Sequence, residues 1–202
     1  MAGGSADAAA ALLACSRLWG LRLEHRALLD LAAVLGSDVP FTTLGGTAVA
    51  HGRGELLTPV RVDHVFHWVL VVSGEGLSTP QVFRRFDELH PPHTVPEPVL
   101  PAGLLEALGA GDPRALAPLL RNDLAEPALD LRPDLADTLA AGRSAGALAG
   151  LLSGSGPTCA FLAADAEHAR RLAGELRGDG TGPEVRQVRA PASIGFGHAG
   201  RG

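Results

Sequence analysis

Three short stretches hold the residues best suited to chemistry. The first is Gly3-Gly4-Ser5, running straight into an alanine-rich segment. Two residues without side chains, a hydroxyl and a following helix N-terminus could together cradle an anion, because the first amides of a helix have no partner inside it. The plainer reading is an ordinary helix cap. No lysine follows the glycines, so this is not a Walker A loop. The second stretch is GSDVPF, in which Asp38 stands beside Pro40 between apolar neighbours. A carboxylate so placed could orient a hydroxyl or take its proton; alternatively it caps a turn. The third is SGSGPT, Ser153 to Thr158, either a permissive turn between strands or a place where backbone approaches a ligand closely.

Other polar residues argue less. His64 and His67, and His90 and His93, have spacings seen in metal sites, but neither pair has the further ligands a site needs. Arg84 and Arg85 read as a solvated helix face, with a phosphate contact as the alternative. The 202-residue chain has a formal net charge of -5, which argues against nucleic acid as a partner, since phosphate neutralisation needs clustered cations. A small anion bound by backbone amides remains compatible with that charge. Cys15 and Cys159 lie far apart and read as small buried hydrophobes, as in a reducing compartment. Neither a leader-like segment nor an apolar run long enough to cross a bilayer is evident, so the expectation is a cytoplasmic protein with no membrane partner.

The elements that must position these residues follow from periodicity. A helix is expected from about Ser5 to Leu18, and a second over 23–35, with Leu28, Leu29, Leu31, Ala32 and Leu35 as its apolar stripe. Gly36 stops it, and Pro40 makes GSDVPF a loop. Residues 47–51 and 56–62 read as a hairpin around GRGE. FHWVLVV is the most apolar strand, and QVFRRFDEL a short helix. A proline-rich connection, HPPHTVPEPVLPAG, is either an exposed loop or a boundary. Short helices follow near 104–108, 113–120 and 134–141. The last third reads strand, glycine turn, strand, amphipathic helix, strand. That rhythm predicts an α+β sandwich with a mainly antiparallel sheet.

In order, these stretches resemble the GHMP kinases. MAGGSADAAAALLA is similar to the latter half of that family's phosphate loop. LGSDVPF, GGTAVAHGRGELLTPV, GLSTPQVF, NDLAEPAL and LLSGSGPTCAFL extend the likeness along nearly the whole chain, toward the branch acting in non-mevalonate isoprenoid biosynthesis. The resemblance implies a GHMP kinase fold: an incomplete N-terminal, S5-like domain over 1–62 and a ferredoxin-like C-terminal α/β sandwich over 63–202. It implies ATP-dependent phosphorylation of the 2-hydroxyl of a small substrate, cytidylyl methylerythritol, with Mg2+. Ala2, Gly3, Gly4, Ser5, Ala6, Asp7 and Ala8 would hold the ATP phosphates, joined by Gly154, Ser155 and Gly156. Asp38 would be the catalytic aspartate, and Thr79 and Pro80 would shape the substrate cleft. Ala6 stands where the family often has a second serine, which removes one hydroxyl contact. The family's opening strands, its lysine and the start of its phosphate loop are not found in these residues. The expectation is therefore an N-terminally truncated chain with little or no kinase activity of its own. Alternatives are another GHMP small-molecule kinase, of homoserine or mevalonate type, or a non-catalytic nucleotide-binding or interaction fragment.

Overall fold

The structure, a computed structural model, describes residues 3–91, 94–178 and 182–192. Within these the chain forms two compact units, 63–190 and 3–62 with 191–192.

The larger unit is organised by its most apolar run. β3 (Phe66–Val72) takes the centre of a four-stranded sheet of order β4-β5-β3-β6, where β4 is Ala149–Leu152, β5 Cys159–Ala163 and β6 Glu184–Ala190. All pairs are antiparallel, and β3 lies between β5 and β6. The first strand between the third and fourth is the ferredoxin-like arrangement. Every residue of β5 is buried, which is why CAFLA shows no polar alternation. Among the described residues, five α-helices intervene between β3 and β4: α4 (Thr79–Leu89), α5 (Leu104–Ala110), α6 (Pro113–Leu116), α7 (Ala125–Leu131) and α8 (Asp134–Ser144). α9 (Ala166–Arg177) precedes β6, with the Asp165 carboxylate capping it by accepting from the His168 N–H at 2.7 Å.

The core lies on one face of the sheet. Val69, Val71, Leu152, Phe161 and Val185 meet Val82 of α4, Ala128 of α7, Leu135 and Leu139 of α8, and Leu172 of α9. Phe161 sets the tightest geometry. A Cβ at Gly142 of α8 would lie 2.0 Å from its ring, and one at Gly150, its cross-strand partner, 2.8 Å away. The ring is thus wedged between two glycines that nothing larger could replace unchanged.

In the smaller unit, α1 (Gly3–Leu18), α2 (His25–Leu35) and α3 (Val39–Leu44) precede the hairpin of β1 (Thr47–His51) and β2 (Leu56–Val60). Small residues let the helices approach: Ala9, Ala32 and Val39 form a core with Ala8 and Leu12. Of the expected α2 stripe only Leu28 and Ala32 are buried, while Leu31 and Leu35 are exposed. The Ala192 carbonyl accepts from the Gly46 N–H at 3.0 Å, beside the hairpin's start.

Two local expectations are corrected. Gly3, Gly4 and Ser5 are the first turn of α1, not a loop before it. GSDVPF is not an extended loop either, because α3 begins immediately after Asp38 with Pro40 in its first turn. Proline is excluded from helix interiors but suits a first turn, where its missing N–H would have had no partner.

Candidate active site

The sequence-selected residues fall into two groups, one in each unit. In the smaller unit, α1 and α3 bring the start of the glycine-rich segment and Asp38 together through Thr42. The Thr42 hydroxyl lies 3.1 Å from the Ser5 carbonyl, and 3.0 and 3.2 Å from the carbonyls of Val39 and Asp38. One hydroxyl thereby ties the first turn of α3 to the first turn of α1. Thr43, fully buried, donates to Val39 O at 2.8 Å and secures the same turn from within.

Asp38 occupies the N-cap position of α3 with αR backbone angles, φ -89° and ψ -12°. A capping residue normally has an extended backbone, so that its side chain reaches back to the helix amides. Here the carboxylate makes no capping bond and is exposed. The turn of the β1–β2 hairpin comes close: a Cβ on Gly54 would lie 3.9 Å from Asp38 Oδ1. Asp38 is thus a carboxylate beside glycine backbone, held by its neighbours and committed to no structural bond of its own kind.

Gly3 and Gly4 border open space, since a Cβ on either would meet nothing within 4 Å. Ser5 is half-buried, Ala6 and Asp7 are exposed, and Ala8 turns toward the small core. Ala2 lies outside the described residues. The first amides of the 16-residue α1 and its partial positive charge face whatever approaches that end.

In the larger unit, SGSGPT connects β4 and β5. Ser153 N–H donates to Thr158 O at 2.8 Å and Gly156 N–H to Ser153 O at 3.0 Å, closing a tight loop. Gly154 has φ +58° and Gly156 φ +81°, a left-handed conformation open to glycine. Among the described residues, the Gly154 and Ser155 N–H groups donate to no carbonyl. Consecutive free amides around a left-handed residue form a concavity for anions. Thr79, the first residue of α4, sits against this loop, its hydroxyl 2.8 Å from that of Ser155. Pro80 follows on the exposed first turn of α4.

Sequence reasoning missed two residues. Thr42 acts on Ser5, 37 positions away, and Asn122 bonds the carbonyls of Leu152 and Gly154, 30 and 32 positions away. No local pattern carries such pairings. NDLAEPAL drew notice only as part of a resemblance.

The remaining candidates behave structurally. Arg85 pairs with Glu88 at 2.8 Å and with Asp130 at 2.6 Å, and His90 Nε2 lies 2.9 Å from Glu126. His93 lies outside the described residues. Among the described residues, no group of three His, Cys, Asp or Glu side chains could hold a metal ion, and no helix is long and apolar enough to cross a membrane. Both cysteines are free; burial pushes the Cys159 thiol up to about 11.

The larger unit holds a ferredoxin-like antiparallel sheet, and the smaller a glycine-rich helix start and an aspartate that caps nothing; comparison with known proteins supplies the family. The family model described as GHMP kinases N terminal domain matches residues 1–46, and GHMP kinases C terminal matches 104–181. The chain belongs to the GHMP kinases. Within that family it is 56% identical over 193 residues to 4-diphosphocytidyl-2-C-methyl-D-erythritol kinase of Streptomyces coelicolor, a match covering 96% of this chain and 64% of the relative. It is 57% identical over 193 residues to the kinase of that name from a Nocardioides species, with the same coverage of both chains. A crystal structure of 4-(cytidine 5'-diphospho)-2C-methyl-D-erythritol kinase superposes with a TM-score of 0.76 at 35% identity, over 95% of this chain and 66% of that one. The chain thus spans about 64% of the length of these curated relatives.

Proposed function

We propose that this chain carries the aspartate and two phosphate-binding elements of a kinase that transfers the γ-phosphoryl group of ATP to the 2-hydroxyl of cytidylyl methylerythritol. The observation that carries the reading is the state of Asp38. It is fixed beside the start of α1 through Thr42, yet its carboxylate makes no capping bond and is free for a substrate hydroxyl. Identity of 56–57% to relatives named for this reaction supports the choice of acceptor.

Phosphoryl transfer passes through a loose transition state, so positioning and charge stabilisation do most of the work. Asp38 would accept a hydrogen bond from the acceptor hydroxyl, aim its oxygen at phosphorus and take the proton late. The amides of Gly3, Gly4 and Ser5, with the α1 dipole behind them, would bind phosphate oxygens, and Ala2, Ala6, Asp7 and Ala8 would complete that wall. Gly154, Ser155 and Gly156 offer a second set of phosphate-binding backbone, and Thr79 and Pro80 would border the acceptor.

Mg2+ fits what the starts of α1 and α3 present, which is oxygen from Ser5, Asp7 and Asp38. Such an ion takes one or two protein oxygens and is otherwise held by phosphates and water. The Ser5 hydroxyl and the Asp7 and Asp38 carboxylates are the donors available there, and the ion would supply neutralisation of phosphate charge.

Phosphorus NMR of ATP incubated with cytidylyl methylerythritol, homoserine and mevalonate together tests the reading. Phosphorylation of the first at its 2-hydroxyl, slow for these 202 residues, and of neither competitor is the expected result. Transfer to either competitor in its place overturns it.

A further inference from the structure

The Ser153–Thr158 loop is gripped from two sides, and the more extensive grip comes from Asn122. Its Nδ2 donates to Leu152 O at 2.8 Å and to Gly154 O at 2.8 Å, so one nitrogen spans the end of β4 and the crest of the loop. Its Oδ1 accepts from Leu124 N–H at 3.0 Å, anchoring the amide to the start of α7. Three bonds use both donors and the acceptor, and they fit one orientation of the amide; the flipped one would set oxygen against two carbonyls.

The anchor is itself braced. α7 carries Glu126 and Asp130, which hold His90 at the C-cap of α4 at 2.9 Å and Arg85 on α4 at 2.6 Å. α4 begins with Thr79, whose hydroxyl reaches Ser155 at 2.8 Å. Loop, Asn122, α7, α4 and Thr79 make a closed circuit of side-chain bonds within the larger unit. The circuit restrains Gly154 and Ser155 through a carbonyl and a hydroxyl, and leaves their two N–H groups unengaged.

We propose that Asn122 is a positioning residue: its side-chain amide holds the glycine loop in the shape that presents the Gly154 and Ser155 N–H groups to an anion. That the anion is a nucleotide phosphate rests on the kinase reading. An organised loop has less entropy to lose on binding, which is how a residue that need not touch the ligand raises affinity for it. Only Asn or Gln combines two donors with an acceptor, and Gln is one methylene longer.

Two substitutions separate this role from simple capping of α7. Asn122→Asp keeps an acceptor for Leu124 N–H but loses both donors and turns negative charge toward the Leu152 and Gly154 carbonyls. Asn122→Ala loses everything. Amide hydrogen exchange in the full chain reads the loop at Ser153 and Gly156, whose N–H groups are bonded, with the Val69 and Phe161 amides reporting the sheet. Both variants are expected to exchange the loop amides about tenfold faster or more, the factor for losing one or two net hydrogen bonds, with sheet amides unchanged. ATP affinity, measured by calorimetry, should weaken by a similar factor in both. Wild-type exchange in Asn122→Asp would show that only the cap matters and would overturn the proposal. Should Asn122→Asp also lose protection in the sheet, Asn122→Ala decides by the same loop readout, and an unchanged rate there overturns it too. If the wild-type chain binds no ATP, the nucleotide reading fails while the exchange data still decide the role of Asn122.

Discussion

Replacing Gly142 by alanine tests the packing that holds the larger unit together, and its cost can be worked from the geometry. The new methyl would sit 2.0 Å from Phe161 Cε1 and 2.4 Å from Cδ1. Carbon atoms in contact prefer about 3.5–4.0 Å, so ring and helix must separate by about 1.5 Å. The ring cannot retreat, because it already lies over Gly150 on the adjacent strand and is fully buried. Overpacking of this kind costs about 1–3 kcal/mol, and the constraint from Gly150 argues for the upper end. Alanine returns about 1 kcal/mol of helix propensity. The expected net loss is therefore about 2 kcal/mol. Gly174, inside α9, is the matched control: a Cβ there meets nothing within 4 Å, so alanine should add about 0.5–1 kcal/mol. Urea unfolding followed by Trp68 fluorescence, in a Trp19→Phe background, reads the unit that contains β3. The midpoints should move in opposite directions at constant slope. A Gly142→Ala variant at or above wild-type stability would refute the wedge.

Asp38→Asn should leave the unfolding midpoint nearly unchanged, since the carboxylate makes no capping bond, while steady-state turnover falls about 10²–10⁴-fold, the range for losing a proton acceptor. The Asp134 carboxyl is held below its ordinary 3.8 by the Arg132 guanidinium, at 2.7–2.8 Å. A depressed carboxyl pKa adds stability above the unfolded value, and that stability disappears as pH falls through the folded one. Asp134→Asn should therefore lower stability slightly near neutrality, with the difference from wild type vanishing as pH falls below 3.8, so that the acid limb of a pH–stability curve is flatter. With its thiol raised to about 11 and fully buried, Cys159 should resist iodoacetamide in the folded chain at mildly alkaline pH while half-buried Cys15 reacts, as peptide mapping would show.

What sequence could disclose was set by how local each cause is. FHWVLVV and CAFLA declare themselves because strands buried in a sheet need apolar residues on consecutive positions. AEHARRLAGELR declares itself because its cap, Asp165, is adjacent. α3 was hidden by Pro40, which reads as a stop unless one knows that the helix starts one residue earlier. α7 was hidden the same way, with Pro127 in its first turn and a polar start. Strand order could not be read, since β3 pairs with segments about ninety and one hundred and twenty positions further on, and pairing at that range leaves no periodic trace. The candidate site divides likewise: Asp38 and both glycine stretches were visible as types, whereas Thr42 and Asn122 each reach a partner at least 30 positions away.

The same distance explains how a reactive group can be left uncommitted. A helix as short as α3 usually depends on its N-cap side chain, and an aspartate at that position would normally serve as one. In this chain fewer amides need it, because Val39 N–H donates to Gly36 O at 3.1 Å and Pro40 has no N–H to satisfy. Thr43 donates to the Val39 carbonyl from inside the helix, and the Thr42 hydroxyl, with one proton to give, lies within reach of the Ser5, Val39 and Asp38 carbonyls. With αR angles at Asp38, the carboxylate makes no bond to the amides it would otherwise cap and lies beside Gly54 of the hairpin turn. Anchoring by neighbours, rather than by its own side chain, lets one aspartate be held in place and still be chemically free. Thr42→Val, which keeps shape and removes the hydroxyl, should therefore cost about 0.5–1.5 kcal/mol in the smaller unit. It should also lower turnover, with Asp38 itself intact.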